Sequence, residues 1–353
     1  LNSKHVFPST VLVEPTNKCN LACDFCEANC TVNGHLKLKD LSSQNLAIAL
    51  KKIEKTITNI VFQGDCEPLV NKRLDKLVVE AKRFTHSIAI VTNGTLLNQK
   101  KSQELIKSGV NWFAFSIDDH RRDVFNAVRV RADLDVVEEN LRELILIRNN
   151  GRADLQVAVH KIIFPNDTLE SLKEFVKKYY LGFGASQITF SPLVEMGDIK
   201  VKDWLKLRNR LESDLVDEGI LVNLKEFCAY PYKTLNKYCG TNLLYINHKG
   251  YLSPCGLHQR DGRFFGNLLQ ESYEEITEKD HFKEYHNYWL SREYSKPIPS
   301  HCKDCFLLKG HYHRYTLNEG HQNGLEFCDH LDLQNNQADG ADAIQYDLIS
   351  KAL

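Results

Sequence analysis

Through the first half of the chain, apolar residues come in two alternating rhythms. Short runs rich in Val, Ile and Phe occur at Thr10–Glu14, Ile57–Gln63, Ser87–Thr92, Trp112–Ile117, Leu155–Ile163 and Gln187–Ser191. Runs of this length, apolar almost without interruption, are the pattern of strands buried in a parallel sheet. Between them lie longer segments with helical spacing: Ser43–Lys55, Lys72–Phe84, Asn98–Ser108, Leu134–Asn149 and Thr168–Tyr180. In Leu134–Asn149, Val137, Leu141, Leu144, Ile145 and Ile147 gather towards one face, and Glu138, Glu139, Arg142 and Glu143 fall elsewhere. Gly109 and Gly151, placed just beyond two of these segments, read as helix stops. Six successive βα units predict an α/β fold, either a parallel barrel or an open doubly wound sheet.

Either architecture puts its chemistry at the carboxyl ends of the strands. Unusual residues collect there: Cys19–Cys26 after the first strand, Gly64–Pro68 after the second, Thr92-Asn93-Gly94 after the third and Ser116–Asp119 at the end of the fourth. Beyond Pro192 the rhythm changes. Asp203–Asp217 predicts one polar helix, and Ser272–His286 another. Leu243–Asn247 and Tyr251–Ser253, joined by His248-Lys249-Gly250, predict a β-hairpin. The polar tail from Asp329 is weakly patterned.

Composition narrows the function. A formal net charge of −1 with 26% charged residues gives no electrostatic reason to expect nucleic acid or an anionic membrane as partner. Apolar runs such as Val11–Val13 and Leu144–Ile147 are far too short to span a bilayer. Leu1–His5 carries no secretion-signal pattern, so the expected location is the cytoplasm. Eleven cysteines in that reducing setting argue against a disulfide framework. They fall in two clusters, Cys19, Cys23, Cys26 and Cys30 near the start and Cys228, Cys239, Cys255, Cys302, Cys305 and Cys328 later, with Cys66 between. Two clusters suggest two metal sites.

The spacing Cys19-x3-Cys23-x2-Cys26 on a loop after a strand suits an iron–sulfur cluster held by three thiolates. Zinc with Cys30 as fourth ligand is the competing possibility, and four unbound cysteines a third. In the later cluster, Cys239-x10-Gly250-x4-Cys255 places one thiolate at each end of the hairpin, and Cys302-x2-Cys305 supplies two more. Four thiolates would fully ligate either a cluster or a zinc ion.

The first spacing, with aromatic Phe25 before the last cysteine, resembles the signature of the radical S-adenosylmethionine (SAM) superfamily. Further matches follow in order. Phe62-Gln63-Gly64-Asp65-Cys66-Glu67-Pro68 is similar to the family's Gly-Gly-Glu-Pro segment, Thr92-Asn93-Gly94 to its third-strand turn, Ser116-Ile117-Asp118 to its fourth-strand Ser-Ile-Asp, and Val124–Arg129 to the Tyr-x-x-Ile-Arg that follows. The resemblance covers about residues 8–195. It implies a partial (β/α)6 TIM-type barrel, a [4Fe–4S] cluster on Cys19, Cys23 and Cys26 with one iron open to SAM, and cofactor contacts from Phe25, Glu67, Asn93, Ser116, Asp118 and Arg129. On this reading Glu67 takes the methionyl amino group, Asp118 reaches the ribose and carboxylate, and Cys30 is spare. Cys66 stands where the family has glycine; it is either a small filler or a hydrogen-atom donor.

The later cysteines, with Gly266-Asn267-Leu268 and Ser272–Ile276 between them, resemble the auxiliary-cluster module of SPASM/twitch enzymes. A full module needs two more cysteines where this chain has His311 and Tyr315. That departure implies the shorter twitch form, with one auxiliary [4Fe–4S] cluster on Cys239, Cys255, Cys302 and Cys305, as in the dehydrogenase of 2-deoxystreptamine antibiotic biosynthesis. Cys328 is then a remnant or a ligand with His311. Cys228 is a buried cysteine, a hydrogen donor or a substitute ligand for Cys239. His301, His311, His313, His321 and His330 read as surface or hydrogen-bonded histidines.

The expected organisation is a core barrel (1–195), a linker helix region (196–235), a twitch unit (236–328) and a tail (329–353). The expected reaction is hydrogen abstraction from a substrate, with an electron donor such as flavodoxin or ferredoxin. Net two-electron oxidation of a small molecule, such as a sugar or cyclitol, is preferred over a peptide because no winged-helix leader-recognition pattern precedes Val11. Radical epimerisation or peptide modification, with Cys66 or Cys228 as donor, is the alternative. A zinc-stabilised binding protein is the remote one.

Overall fold

The computed structural model describes residues 9–26, 39–164, 166–192, 207, 210, 211, 213–218, 243–254, 263–291, 297 and 299–302. Strands β1 (Thr10–Val13), β2 (Asn59–Phe62), β3 (Ser87–Thr92), β4 (Trp112–Ser116), β5 (Gln156–Ile163) and β6 (Gln187–Pro192) pair in chain order, every neighbour parallel. Helices α1 (Ser43–Ile53), α2 (Leu74–Ala81), α3 (Gln99–Ser108), α4 (Arg122–Val128), α5 (Leu134–Asn149) and α6 (Leu169–Val176) connect them. This is the partial TIM barrel that the family resemblance implies, one of the two architectures the βα rhythm allows.

Local chemistry explains the helix bounds. Asn98 and Thr168 accept hydrogen bonds from Lys101 N and Ser171 N, capping α3 and α6. Gly109 ends α3 with φ 128°, a left-handed conformation that favours glycine. The predicted helix from Thr168 is α-helical only to Val176 and then opens into a π-turn, Lys177–Gly182. α4 has no counterpart in the apolar periodicity, because it buries only Phe125.

The strands sort their side chains onto two faces. Val11, Val13, Ile60, Phe62, Ile88, Ile90, Phe113, Phe115, Val157 and Val159 join Leu46, Leu77, Leu105, Leu141 and Phe175 of the helices in one buried core. Each such side chain contributes about 1.5–3 kcal/mol through burial. The opposite face carries a much smaller cluster, Leu12, Val61, Ala89 and Tyr245. Its members share one register row, since Leu12 pairs with Val61 and Tyr245, and Val61 with Ala89. This sparse inner face leaves room above it at the carboxyl ends of the strands.

The predicted hairpin is present as β7 (Leu243–Ile246) and β8 (Tyr251–Ser253), antiparallel, with Gly250 at φ 83° in the turn. It does not stand apart from the barrel. β7 pairs parallel with β1, and β9 (Gly266–Asn267) follows β8, so the nine-stranded sheet runs β6-β5-β4-β3-β2-β1-β7-β8-β9. The carboxylate of Glu14, at the end of β1, accepts from His248 in the hairpin turn, with Nδ1 at 2.6 Å, and both side chains are buried. The predicted helix over Ser272–His286 is two helices, α7 (Tyr273–Thr277) and α8 (Asp280–Ser291). Ser272 and Glu275 cap each other at the start of α7. The carbonyl of Lys279 then starts a fresh set of bonds, to Phe282 N and Lys283 N. Of the predicted Asp203–Asp217 helix, Leu211 and Leu215 are buried in the main core. No helix among the described residues is long and apolar enough to cross a membrane.

Candidate functional site

A cavity of about 440 Å³ opens at the carboxyl ends of the strands. Cys19, Cys23 and Cys26 line it together with Phe25, Cys66, Glu67, Asn93, Ser116 and Arg129. These residues come from four loops that lie up to 110 positions apart, and parallel pairing of β1 to β4 brings them to one end.

Hydrogen bonds fasten the cysteine loop on three sides. Glu67 N donates to Lys18 O at 3.0 Å, tying it to the loop after β2. Asn93 Nδ2 donates to Asn20 Oδ1 at 3.0 Å, and Asn20 Nδ2 to Thr95 Oγ1 at 2.8 Å, tying it to the turn after β3. Ala22 N and Asp24 N donate to Val130 O and Val128 O, which fixes it to the end of α4. The Thr92-Asn93-Gly94 turn needs its glycine: Gly94 has φ 77°, and a Cβ there would lie 2.6 Å from Phe115 Cδ1.

Glu67 is buried with a full set of donors. Its Oε1 accepts from Thr92 Oγ1 at 2.7 Å and Leu69 N at 3.1 Å, and its Oε2 from Asn93 N at 2.8 Å. Burial pushes this carboxyl up, against the pull of those hydrogen bonds. Burial likewise pushes up the thiols of Cys19 and Cys23, the latter to about 11, while the Arg129 guanidinium opposes the rise. Metal-free, both thiols are therefore protonated at neutral pH, and loading a metal centre would release those protons.

Arg129 lies over the Phe25 ring, 5.4 Å from its centroid. Phe25 in turn meets Phe164, just past β5, edge to face at 5.5 Å. Arg129 Nε donates to Asp118 Oδ2 at 2.6 Å, and Asp118 Oδ1 accepts from Ile162 N at 2.9 Å. Asp118 is not among the cavity-lining residues; it lies behind Arg129, its side chain wholly buried. Phe25, Glu67, Asn93, Ser116 and Arg129, expected from the sequence as cofactor contacts, all line the cavity.

Gln63, Gly64, Asp65, Thr92, Leu21 and Val91 complete the lining, as do Leu12 and Tyr245 from the inner face of the sheet. Tyr245 had no signal in the sequence, because it reaches the cavity only through the pairing of β7 with β1. A Cβ on Gly64 would lie 2.8 Å from Glu14 Cγ and 2.9 Å from the Tyr245 hydroxyl, so this close approach requires glycine. Cys66 is disulfide-bonded in this structure. Cys302 is buried in the 3-10 turn Ser300–Cys302. Cys30, Cys228, Cys239, Cys255, Cys305 and Cys328 lie outside the described residues, as do His311, His313, His321 and His330. Among the described residues, no three Cys, His, Asp or Glu side chains converge tightly enough for a single metal ion.

His160 shares a register row with Ser116 on the inner face of β5. Burial depresses it to about 4, so it is neutral at physiological pH. Unfolding restores its ordinary affinity for a proton. Stability should therefore be lost as pH falls from about 6.5 towards 4, with a slope of up to ~1.4 kcal/mol per pH unit from this group. Urea midpoints across that range should show a smaller slope in His160→Gln; an unchanged slope would refute the assignment.

Residues 13–179 match the model of the radical SAM superfamily. Residues 238–306 match an iron–sulfur cluster-binding domain of the SPASM type. The chain belongs to the radical SAM superfamily. It therefore works with a [4Fe–4S] cluster and SAM, and carries an auxiliary iron–sulfur domain. It is 28% identical to the uncharacterized protein MJ0907 of Methanocaldococcus jannaschii, over 69% of this chain and 84% of that one. It is 23% identical to the tungsten-containing aldehyde ferredoxin oxidoreductase cofactor-modifying protein of Pyrococcus furiosus, over 84% and 86%. The fold is similar to that of SuiB from Streptococcus suis bound to SAM, with a TM-score of 0.65 at 15% identity, over 86% of this chain and 72% of SuiB.

Proposed function

We propose that this radical SAM enzyme oxidises a small molecule, such as a sugar or cyclitol, by two electrons. The observation that carries the site is the meeting of three thiols, the Glu67 carboxylate and the Arg129 guanidinium around one cavity. The residues fit the groups: Cys19, Cys23 and Cys26 supply three soft ligands and leave a fourth iron open. When bound, the cluster supplies the electron that cleaves SAM to a 5′-deoxyadenosyl radical, which takes hydrogen from the substrate. The chain's own residues bind and orient. Glu67, Asn93, Ser116 and Arg129 offer polar contacts of both signs, Phe25 offers an aromatic face for adenine, and Leu12, Val91 and Tyr245 keep the cavity floor apolar. Cys239, Cys255, Cys302 and Cys305 would hold one auxiliary cluster within a C-terminal unit over 236–328.

The small-molecule reading is supported by the likeness to the Pyrococcus protein, whose name makes it a modifier of a cofactor and which matches 84% of this chain. The rival reading, epimerisation with Cys66 as hydrogen donor, first needs reduction of its disulfide, since a disulfide sulfur has no S–H to give. Product analysis in heavy water separates them. Oxidation should consume one SAM per oxidised product, leave no solvent deuterium at carbon and survive Cys66→Ala. Solvent deuterium in the product, lost in Cys66→Ala, would overturn it. Reconstituted protein that forms no 5′-deoxyadenosine with a reductant would overturn the radical reading altogether.

A further inference from the structure

Asp118 is the end of a chain of contacts that leads into the cavity without reaching it. Its side chain is fully buried, and both carboxylate oxygens are engaged, Oδ1 by Ile162 N and Oδ2 by Arg129 Nε. The guanidinium is held from the side by this bond and from below by the Phe25 ring. Arg129 ends α4, and the flanking carbonyls of Val128 and Val130 accept from Asp24 and Ala22 of the cysteine loop. With Nε committed to Asp118, the edge carrying the two terminal nitrogens is what Arg129 can present to the cavity it lines. A planar fork held in this way suits a carboxylate.

We propose that Asp118 does not touch SAM but is a positioning residue: it orients Arg129, and Arg129 alone of the two recognises a carboxylate in the cavity, that of SAM. This rests on the reading that the cavity takes SAM. It departs from the direct contact with ribose and carboxylate that the sequence resemblance assigns to Asp118. Phe25 has a place in the same arrangement, since one ring bears on Arg129 and on Phe164, which links the cysteine loop to the end of β5.

A double-mutant cycle on SAM affinity decides it, measured by calorimetry on the cluster-reconstituted enzyme without reductant. Asp118→Asn keeps an oxygen for Ile162 N but loses the charge that holds Arg129. It should weaken SAM binding about 10-fold, and Arg129→Met about 10–100-fold, the range for hydrogen bonds to charged groups. In the Arg129→Met background, Asp118→Asn should add less than ~2-fold, because its effect runs through the missing guanidinium. An equal loss in both backgrounds means direct contact and overturns the inference. So does a lowered thermal midpoint with unchanged SAM affinity. If Asp118→Asn does not fold, Arg129→Lys serves: it keeps the charge without the fork, and wild-type affinity in that variant would equally overturn the proposal. Wild-type enzyme that takes no SAM would instead overturn the functional reading beneath it.

Discussion

Cys19→Ala, Cys23→Ala or Cys26→Ala, each alone, should leave a folded protein that has lost SAM cleavage. The loop carrying these residues is fastened by its own backbone and by Asn20, through bonds to Lys18 O, Val128 O, Val130 O, Asn93 and Thr95. None of those bonds uses a cysteine side chain; within the loop Leu21 N donates to Cys19 Sγ at 3.4 Å, but the bonds that tie the loop to the barrel do not rest on the thiols. The cluster does. With two thiolates left, the core loses a ligand, and the neighbouring Glu67 carboxylate is already taken up by three hydrogen bonds. Changing a residue that merely orients a metal ligand costs about 10–100-fold in affinity or activity; losing a ligand should exceed ~100-fold in 5′-deoxyadenosine formation. Iron content and visible absorption should fall to the share of the auxiliary domain, with the unfolding midpoint of the metal-free protein nearly unchanged. Retained 5′-deoxyadenosine formation in any of the three variants would remove that residue from the cluster. A chain carrying one zinc and no visible absorption would return the zinc alternative.

Lys161→Met should cost a large share of the protein's stability. Lys161 points to the helix-facing side of β5, only 2% exposed, and pairs with Asp167, only 4% exposed, at 2.9 Å. Its Nζ also donates to the carbonyls of Asp118 and Ile162. Asp167 Oδ2 accepts from Phe164 N at 2.8 Å as well. Removing the lysine leaves a carboxylate buried without its cation, and breaking a buried pair from one side costs about 3–5 kcal/mol. That is a large part of the 5–15 kcal/mol by which a domain is typically stable. Replacing both partners, in Lys161→Met/Asp167→Leu, removes both charges together and should recover most of the loss. Urea unfolding, with midpoints compared at unchanged slope, checks both. A single variant that loses less than about 1 kcal/mol would show that the pair is not held as described.

The two predictions differ in how legible their residues were. The cysteine loop announces itself in sequence because its chemistry needs three thiolates at close spacing. Lys161 gave no such sign: in the apolar run Leu155–Ile163 it is one charged residue, and only its partner six positions on explains why it is tolerated in the core.

Local pattern carries information wherever the responsible interactions are local. Strand and helix periodicity, the caps at Asn98, Thr168 and Ser272, the glycine at the end of α3 and the motif order from Cys19 to Arg129 all fall in that class, and so the barrel and its cluster loop could be read from the chain alone. The tertiary structure decided the rest. It made the hairpin a continuation of the barrel through β1, which brings Tyr245 to the cavity, because strand pairing at a separation of more than 200 residues leaves no periodic trace. It divided the last predicted helix in two, through bonds to a lysine carbonyl that no side-chain pattern marks. And it buried the Asp118 side chain against Arg129, outside the cavity lining, because burial depends on packing around both residues. The three cysteines name the chemistry, but what faces the cofactor is settled by side chains that only the folded barrel brings into register.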